Sequence, residues 1–115
     1  MNQTLERLIG QLIIAGLRGP NAPPDSPIAN FIKDYNLAGV ILYDEDVKIG
    51  GLGSRNIQSP DQVKDLSDQL QSFSKNGLLI SIDQEGGGTN RLKSNYGFPE
   101  TPSWNHMGHL DNDLM

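Results

Sequence analysis

The chain has 115 residues, enough for one ordinary domain with a core of its own. A formal net charge of −5, with no basic run interleaved with aromatics, argues against nucleic acid and anionic membrane surfaces as partners. The absence of cysteine excludes disulfides and thiolate metal sites.

The first ten residues carry Glu6 and Arg7, with no basic segment leading into a long apolar run, so no secretory signal is expected and the cytoplasm is the default compartment. Leu5, Leu8, Ile9 and Leu12 fall at helical spacing, which predicts an amphipathic helix near Thr4 to Gln11. The apolar run Leu12 to Leu17 then reads as a short buried strand ending at Arg18-Gly19-Pro20. After a proline-rich loop, Ser26 can cap a helix that has Pro27 at its first position, and Ile28, Phe31, Ile32 and Tyr35 form one stripe along it.

Asn36-Leu37 closes that helix, and Ala38 to Tyr43 is a second strand, apolar throughout as a parallel strand covered on both faces requires. Asp44, Glu45 and Asp46 follow at its carboxyl end; Glu45 reads as solvated, while the other two either line a pocket or are solvated as well. Residues 47–57 carry Gly50, Gly51 and Gly53 and read as a surface loop. The next helix has Ser59 as N-cap, Pro60 at N1, Asp61 at the positive end and Gln62 in a capping box. Val63, Leu66, Leu70 and Phe73 are its buried stripe, and Asn76-Gly77 ends it.

A third strand, Leu78 to Ile82, runs into Asp83-Gln84-Glu85-Gly86-Gly87-Gly88-Thr89-Asn90-Arg91-Leu92. Ligands bind at the carboxyl ends of parallel strands, so this acid- and glycine-rich turn is the leading candidate for a site. Asp83 and Glu85 face one side if the strand continues through them, which admits the paired-carboxylate chemistry of glycosidases. Asp83 and Arg91 suit recognition of hydroxyls, with a buried Asp accepting and an Arg donating. The plainer alternative is an Asp83–Arg91 ion pair that holds the loop. A phosphate loop does not fit, because no Gly-Lys-Ser/Thr follows and two acids precede the glycines. No cofactor is expected. Past the turn, Ser103 to Leu110 predicts a last helix; His106 and His109 lack a third metal ligand at clear spacing, and Trp104 suits either sugar stacking or packing.

Strand–helix alternation makes this an α/β chain with a parallel sheet. Three strands would leave edges and faces uncovered, and a complete (β/α)₈ barrel takes roughly 250 residues.

The segments Gly39 to Asp44, Arg55 to Gln62, Asp83 to Gly87 with Arg91-Leu92, and Tyr96 to Ser103 together resemble, in order, the amino-terminal domain of family 3 glycoside hydrolases, in its β-N-acetylhexosaminidase branch. The resemblance spans nearly all of residues 1–115. It implies the first three β/α units of a TIM-type (β/α)₈ barrel, and retaining hydrolysis of terminal β-linked N-acetylglucosamine from glycosides such as cell-wall fragments. It also implies Asp83 and Arg91 as substrate-binding residues. The family's nucleophilic aspartate and histidine acid/base have no counterpart here, so no catalytic residue is expected in this chain and the chain alone is expected to be inactive. Gly88 stands where the family usually has arginine, which removes a fork of donors and loosens the backbone. Two other readings stay open: a non-catalytic carbohydrate-binding or interaction protein derived from that barrel, and a β-glucosidase-type relative.

Overall fold

A computed structural model describes residues 4–112. Helix α1 (Leu5–Gly10) precedes strand β1 (Ile14–Gly16), followed by α2 (Pro27–Tyr35), β2 (Gly39–Leu42), α3 (Pro60–Ser72), β3 (Leu79–Ile82), a 3₁₀ turn at Ser94–Tyr96 and α4 (Trp104–Asn112). The strands form one parallel sheet in the order β1-β2-β3. Crossovers between parallel neighbours need a dozen or more residues, which α2 and α3 with their loops supply.

The caps explain where the helices begin. Ser26 Oγ accepts from the Ala29 N–H and Pro27 opens α2, whereas Asn36 closes it in the left-handed region, at φ 56°. Ser59 Oγ accepts from the Gln62 N–H at 3.1 Å. The Gln62 side-chain Oε1 reaches one residue past the cap, accepting from the Gln58 N–H at 2.8 Å, while its Nε2 donates to the Pro20 and Asn56 carbonyls. The capping glutamine thus also ties the loops after β1 and β2 to α3.

Pleat and register divide the sheet into two faces. Val40 and Leu42 are fully buried beneath Ile28, Ile32, Leu66 and Leu70 from α2 and α3, with Ala15, Ile80 and Ile82 packed beside them. On the other face the register aligns Ile14, Gly39 and Leu79 in one row and Gly16, Ile41 and Ser81 in the next. On this face Ile14 and Leu79 are 49% and 64% exposed. The expectation of uncovered faces holds here.

Strand β1 is shorter than the apolar run implied. Leu12 and Ile13 donate to Ile9 and Gly10 carbonyls in a turn, and the ladder lasts only from Ile14–Gly39 to Gly16–Ile41. Helix α1 forms as its periodicity predicts, yet its stripe of Leu5, Leu8 and Ile9 is exposed. It reaches α2 at Gly10, where a Cβ would lie 1.7 Å from the Tyr35 carbonyl oxygen, and through Arg7 Nη1, which donates to the Lys33 carbonyl at 3.0 Å. Local periodicity makes a helix, but burial of its stripe requires a partner layer. In α2, likewise, Ile28 and Ile32 are buried while Phe31 and Tyr35 are half exposed.

Candidate functional site

The carboxyl ends of the three strands place Leu17-Arg18, Tyr43 to Asp46 and Asp83 to Leu92 along one rim. Fully buried Asn56 stitches the first two together. Its amide donates to the Leu17 and Gly19 carbonyls at 3.2 and 2.8 Å, and its oxygen accepts from the Tyr43 N–H at 3.0 Å. Asn56 satisfies backbone groups that neither strand can satisfy alone once pairing stops.

The third loop is shaped by Gln84 and Gly86. Gln84 Oε1 accepts from the N–H groups of Arg91 and Leu92 at 3.0 and 2.9 Å, and its Nε2 donates to Asn90 at 2.6 Å. The Glu85 N–H donates to the Thr89 carbonyl at 2.9 Å, closing the glycine turn. Gly86, at φ 74°, lies so close to Pro102 that a Cβ would sit 2.2 Å from the Pro102 carbonyl oxygen, so both the backbone angle and the space require glycine. Gly88 has open space around it and no positive φ. Neither the backbone angle nor the space at this position requires glycine.

Asp44 is the centre of this rim. It is fully buried, and one carboxylate oxygen accepts from Lys93 Nζ and, at 3.1 Å, from the Tyr96 hydroxyl. Arg91 Nη1 lies 3.5 Å from the other oxygen, Oδ1, too far for a strong hydrogen bond but well within Coulomb range. Both Asp44 Oδ1 and Arg91 Nε are buried without a hydrogen-bond partner. Burial opposes the charge on Lys93, but the Asp44 hydrogen bond and charge outweigh it, leaving the ammonium above the ordinary lysine value. Burial, with the Asp44 charge, raises the Tyr96 hydroxyl. Tyr96 accordingly stays protonated, donating to Asp44 while accepting from the Gly53 N–H at 2.9 Å.

Asp46 is nearly as buried. Its carboxylate accepts from the Lys48 N–H at 2.9 Å and pairs with Arg18 at 2.5 Å. The Lys48 N–H holds its pKa below the usual carboxylate value, with Arg18 contributing against the cost of burial. Tyr43 presents its ring to two cations, Arg55 at 4.9 Å and Arg91 at 5.7 Å from the centroid.

Of the residues expected in the site, Arg91 is half-buried beside Asp44 and Asp83 is exposed at the tip of β3. The buried aspartate facing Arg91 is Asp44, not Asp83, and no Asp83–Arg91 pair forms among the described residues. Strand β3 ends at Ile82, so the condition for Asp83 and Glu85 to share a strand face is not met, and both are exposed. Glu45 is exposed, as expected. His109 Nδ1 lies 2.7 Å from the Asn105 carbonyl within α4, and no group of three metal-ligating side chains occurs among the described residues. Trp104 is exposed on α4. Sequence reading passed over Lys93, Tyr96 and Asn56 as functional residues. Their only local signal is a position just after a strand or turn, and their partners lie 13 to 52 residues away.

No protein-family model matches the chain. A β-hexosaminidase of Alkalilimnicola ehrlichii is 41% identical over 58 residues, covering 49% of this chain and 16% of that protein. One from Hydrogenovibrio crunogenus is 29% identical over 109 residues, covering 90% of this chain and 27% of that protein. The chain therefore spans about a sixth to a quarter of the curated relatives it matches. Among solved structures, a glycoside hydrolase family 3 β-N-acetylglucosaminidase from Paenibacillus sp. FPU-7 superposes with a TM-score of 0.70 at 34% identity, covering 89% of this chain and 18% of that one. A β-N-acetylhexosaminidase from Beutenbergia cavernae gives a TM-score of 0.70 over 96% of this chain and 30% of that one; at 22% identity this likeness concerns the fold alone.

Proposed function

Because the chain is related to the amino-terminal part of β-hexosaminidases of glycoside hydrolase family 3, we propose that it is the sugar-gripping first portion of a retaining β-N-acetylhexosaminidase barrel. In this reading residues 1–115 supply the first three β/α units of a (β/α)₈ barrel, and the bare sheet face is the barrel interior. The substrate is a terminal β-linked N-acetylglucosamine, as in a cell-wall fragment.

The observation that carries the proposal is the rim itself: an exposed Asp83 carboxylate on the turn whose other end holds Arg91, beside buried Asp44. Asp83 accepts hydrogen bonds from sugar hydroxyls, and Arg91 donates to hydroxyl or carbonyl oxygens. Gln84 fixes the return of the turn, so the distance between the two groups does not depend on the mobile arm of a free loop. Retention needs a nucleophilic carboxylate and an acid facing each other at roughly 5–5.5 Å, and the family's residues for those two roles have no counterpart in this chain. Cleavage is thus assigned to segments outside this chain.

The test is a chimera in which this chain replaces the matching segment of the Paenibacillus enzyme. Hydrolysis of a chromogenic N-acetylglucosaminide by the chimera, with none by the 115-residue chain alone, is the expected pair of results. Asp83→Ala in the chimera should raise the Michaelis constant about tenfold or more, since a binding site loses roughly 1–3 kcal/mol when a partner is left unpaired. An unchanged Michaelis constant and turnover would remove Asp83 from the site, and turnover by the isolated chain would overturn the division of labour.

A further inference from the structure

A second feature of the rim lies on the β1 side, away from Asp83. A cavity of about 350 Å³ opens at the carboxyl end of β1, lined by Gly16, Arg18, Asn21, Ser26, Ile28 and Arg55. Two of its lining residues are arginines.

Arg55 is held from three sides. Its Nε donates to the Leu17 carbonyl at 3.0 Å, its guanidinium lies over the Tyr43 ring, and an Nη2 atom rests 3.2 Å from where a Cβ on Gly16 would be. The glycine leaves room for the flat guanidinium to lie against β1. No carboxylate pairs with Arg55 among the described residues, in contrast to Arg18 and Arg91. Its terminal nitrogens donate to nothing described, because all of its hydrogen bonding is through Nε. A planar fork of donors, fixed before any ligand arrives and facing a cavity, matches the geometry of a bidentate oxyanion.

Charge narrows the class of oxyanion. Arg18 and Arg55 bring two positive charges and Asp46, bonded to Arg18, brings one negative. The remaining single positive charge balances a monoanionic carboxylate better than a dianionic phosphate. We propose that Arg55, assisted by Arg18, binds a carboxylate in the cavity at the carboxyl end of β1. Arg55 and Arg91 lie over the same Tyr43 ring, so this cavity adjoins the sugar position. Resting on the saccharide reading for this last step, the preferred ligand is a sugar carrying a carboxylate substituent, and neutral sugars fill only the Arg91 side.

Titrating the 115-residue chain while following the arginine Nε–Hε resonances by NMR tests this. Sodium acetate should shift the Arg55 resonance, inorganic phosphate should bind no tighter, and glucuronate should bind about tenfold or more tightly than glucose, the increment expected of charge-assisted hydrogen bonds. Arg55→Gln should abolish the acetate response and the preference for glucuronate. Arg55→Lys, which keeps the charge and loses the fork, should retain only part of both. Arg18→Gln, at an exposed side chain, should weaken acetate several-fold and decides the matter if Arg55→Gln does not fold. Unchanged acetate affinity in the variants, a preference for phosphate, or a silent Arg55 resonance would overturn the proposal. N-acetylglucosamine followed at Arg91 separates the two readings: silence there with an acetate response at Arg55 sinks the saccharide reading alone, and the reverse sinks the carboxylate site alone.

Discussion

Truncating Asp44 to alanine removes the one anion that Lys93, Tyr96 and Arg91 share. Breaking a buried ion pair by deleting one partner costs about 3–5 kcal/mol, because the charge left behind is stranded. Here that figure is an upper limit. The Lys93 and Arg91 side chains keep 26% and 30% of their exposure, so both can turn partly to water once Asp44 is gone. The Tyr96 hydroxyl loses its acceptor but still accepts from Gly53, at a cost nearer the roughly 1 kcal/mol of an ordinary hydrogen bond. Together these put the destabilisation at about 2–4 kcal/mol. Asp44→Asn, which keeps the volume and one acceptor, should cost about half as much. Glu45→Ala is the control: Glu45 approaches the same lysine at 3.5 Å but is exposed, so its removal should cost less than about 0.5 kcal/mol. Urea unfolding of the three variants by circular dichroism measures the differences. An Asp44→Ala cost no larger than that of Glu45→Ala would refute the claim that Asp44 organises the rim.

Acid should loosen the Asp46 contacts only below the ordinary aspartate range. Asp46 is held below the unfolded aspartate value of about 3.9, so its contribution is present above that pH and is lost as pH falls through the lower folded value. Asp46→Asn should flatten that part of the acid-unfolding profile, and a profile identical to wild type would show that the Lys48 and Arg18 contacts add nothing. The glycine turn offers a paired contrast. Gly86→Ala combines a left-handed backbone with a collision against Pro102 and should cost about 1–3 kcal/mol or more, whereas Gly88→Arg should be near neutral, both read from thermal melts. Equal effects would contradict the assigned conformation of the turn.

Serine followed by proline marked the starts of α2 and α3, and Asn36 marked the end of α2, in agreement with the structure. These signals are readable because capping is settled between residues at most four positions apart. The apolar runs of β2 and β3 were readable for a similar reason: an unbroken apolar run bounded by turn residues marks a strand by composition, even though one face of β3 is bare here. Strand β1 was over-extended because its length depends on where β2 supplies a partner, not on its own residues. The turn carrying Asp83 and Arg91 stood out through its density of acids and glycines. Which acid faces Arg91 did not, since Asp44 and Arg91 are 47 positions apart and meet only when β2 and β3 pair.

Taken alone, the amino-acid order settled the helix caps, the alternation of helix and strand, and the location of a polar rim at the strand ends. All of these follow from contacts between near neighbours or from composition. Only the folded chain decided that Asp44 rather than Asp83 is the buried partner of Arg91, that Lys93 and Tyr96 converge on it, and that Arg55 turns an unpaired fork toward a cavity. Such pairings join residues tens of positions apart, and the parallel register that brings them together is set by burying Val40 and Leu42 beneath two helices, an energy shared by the whole sheet and carried by no single segment.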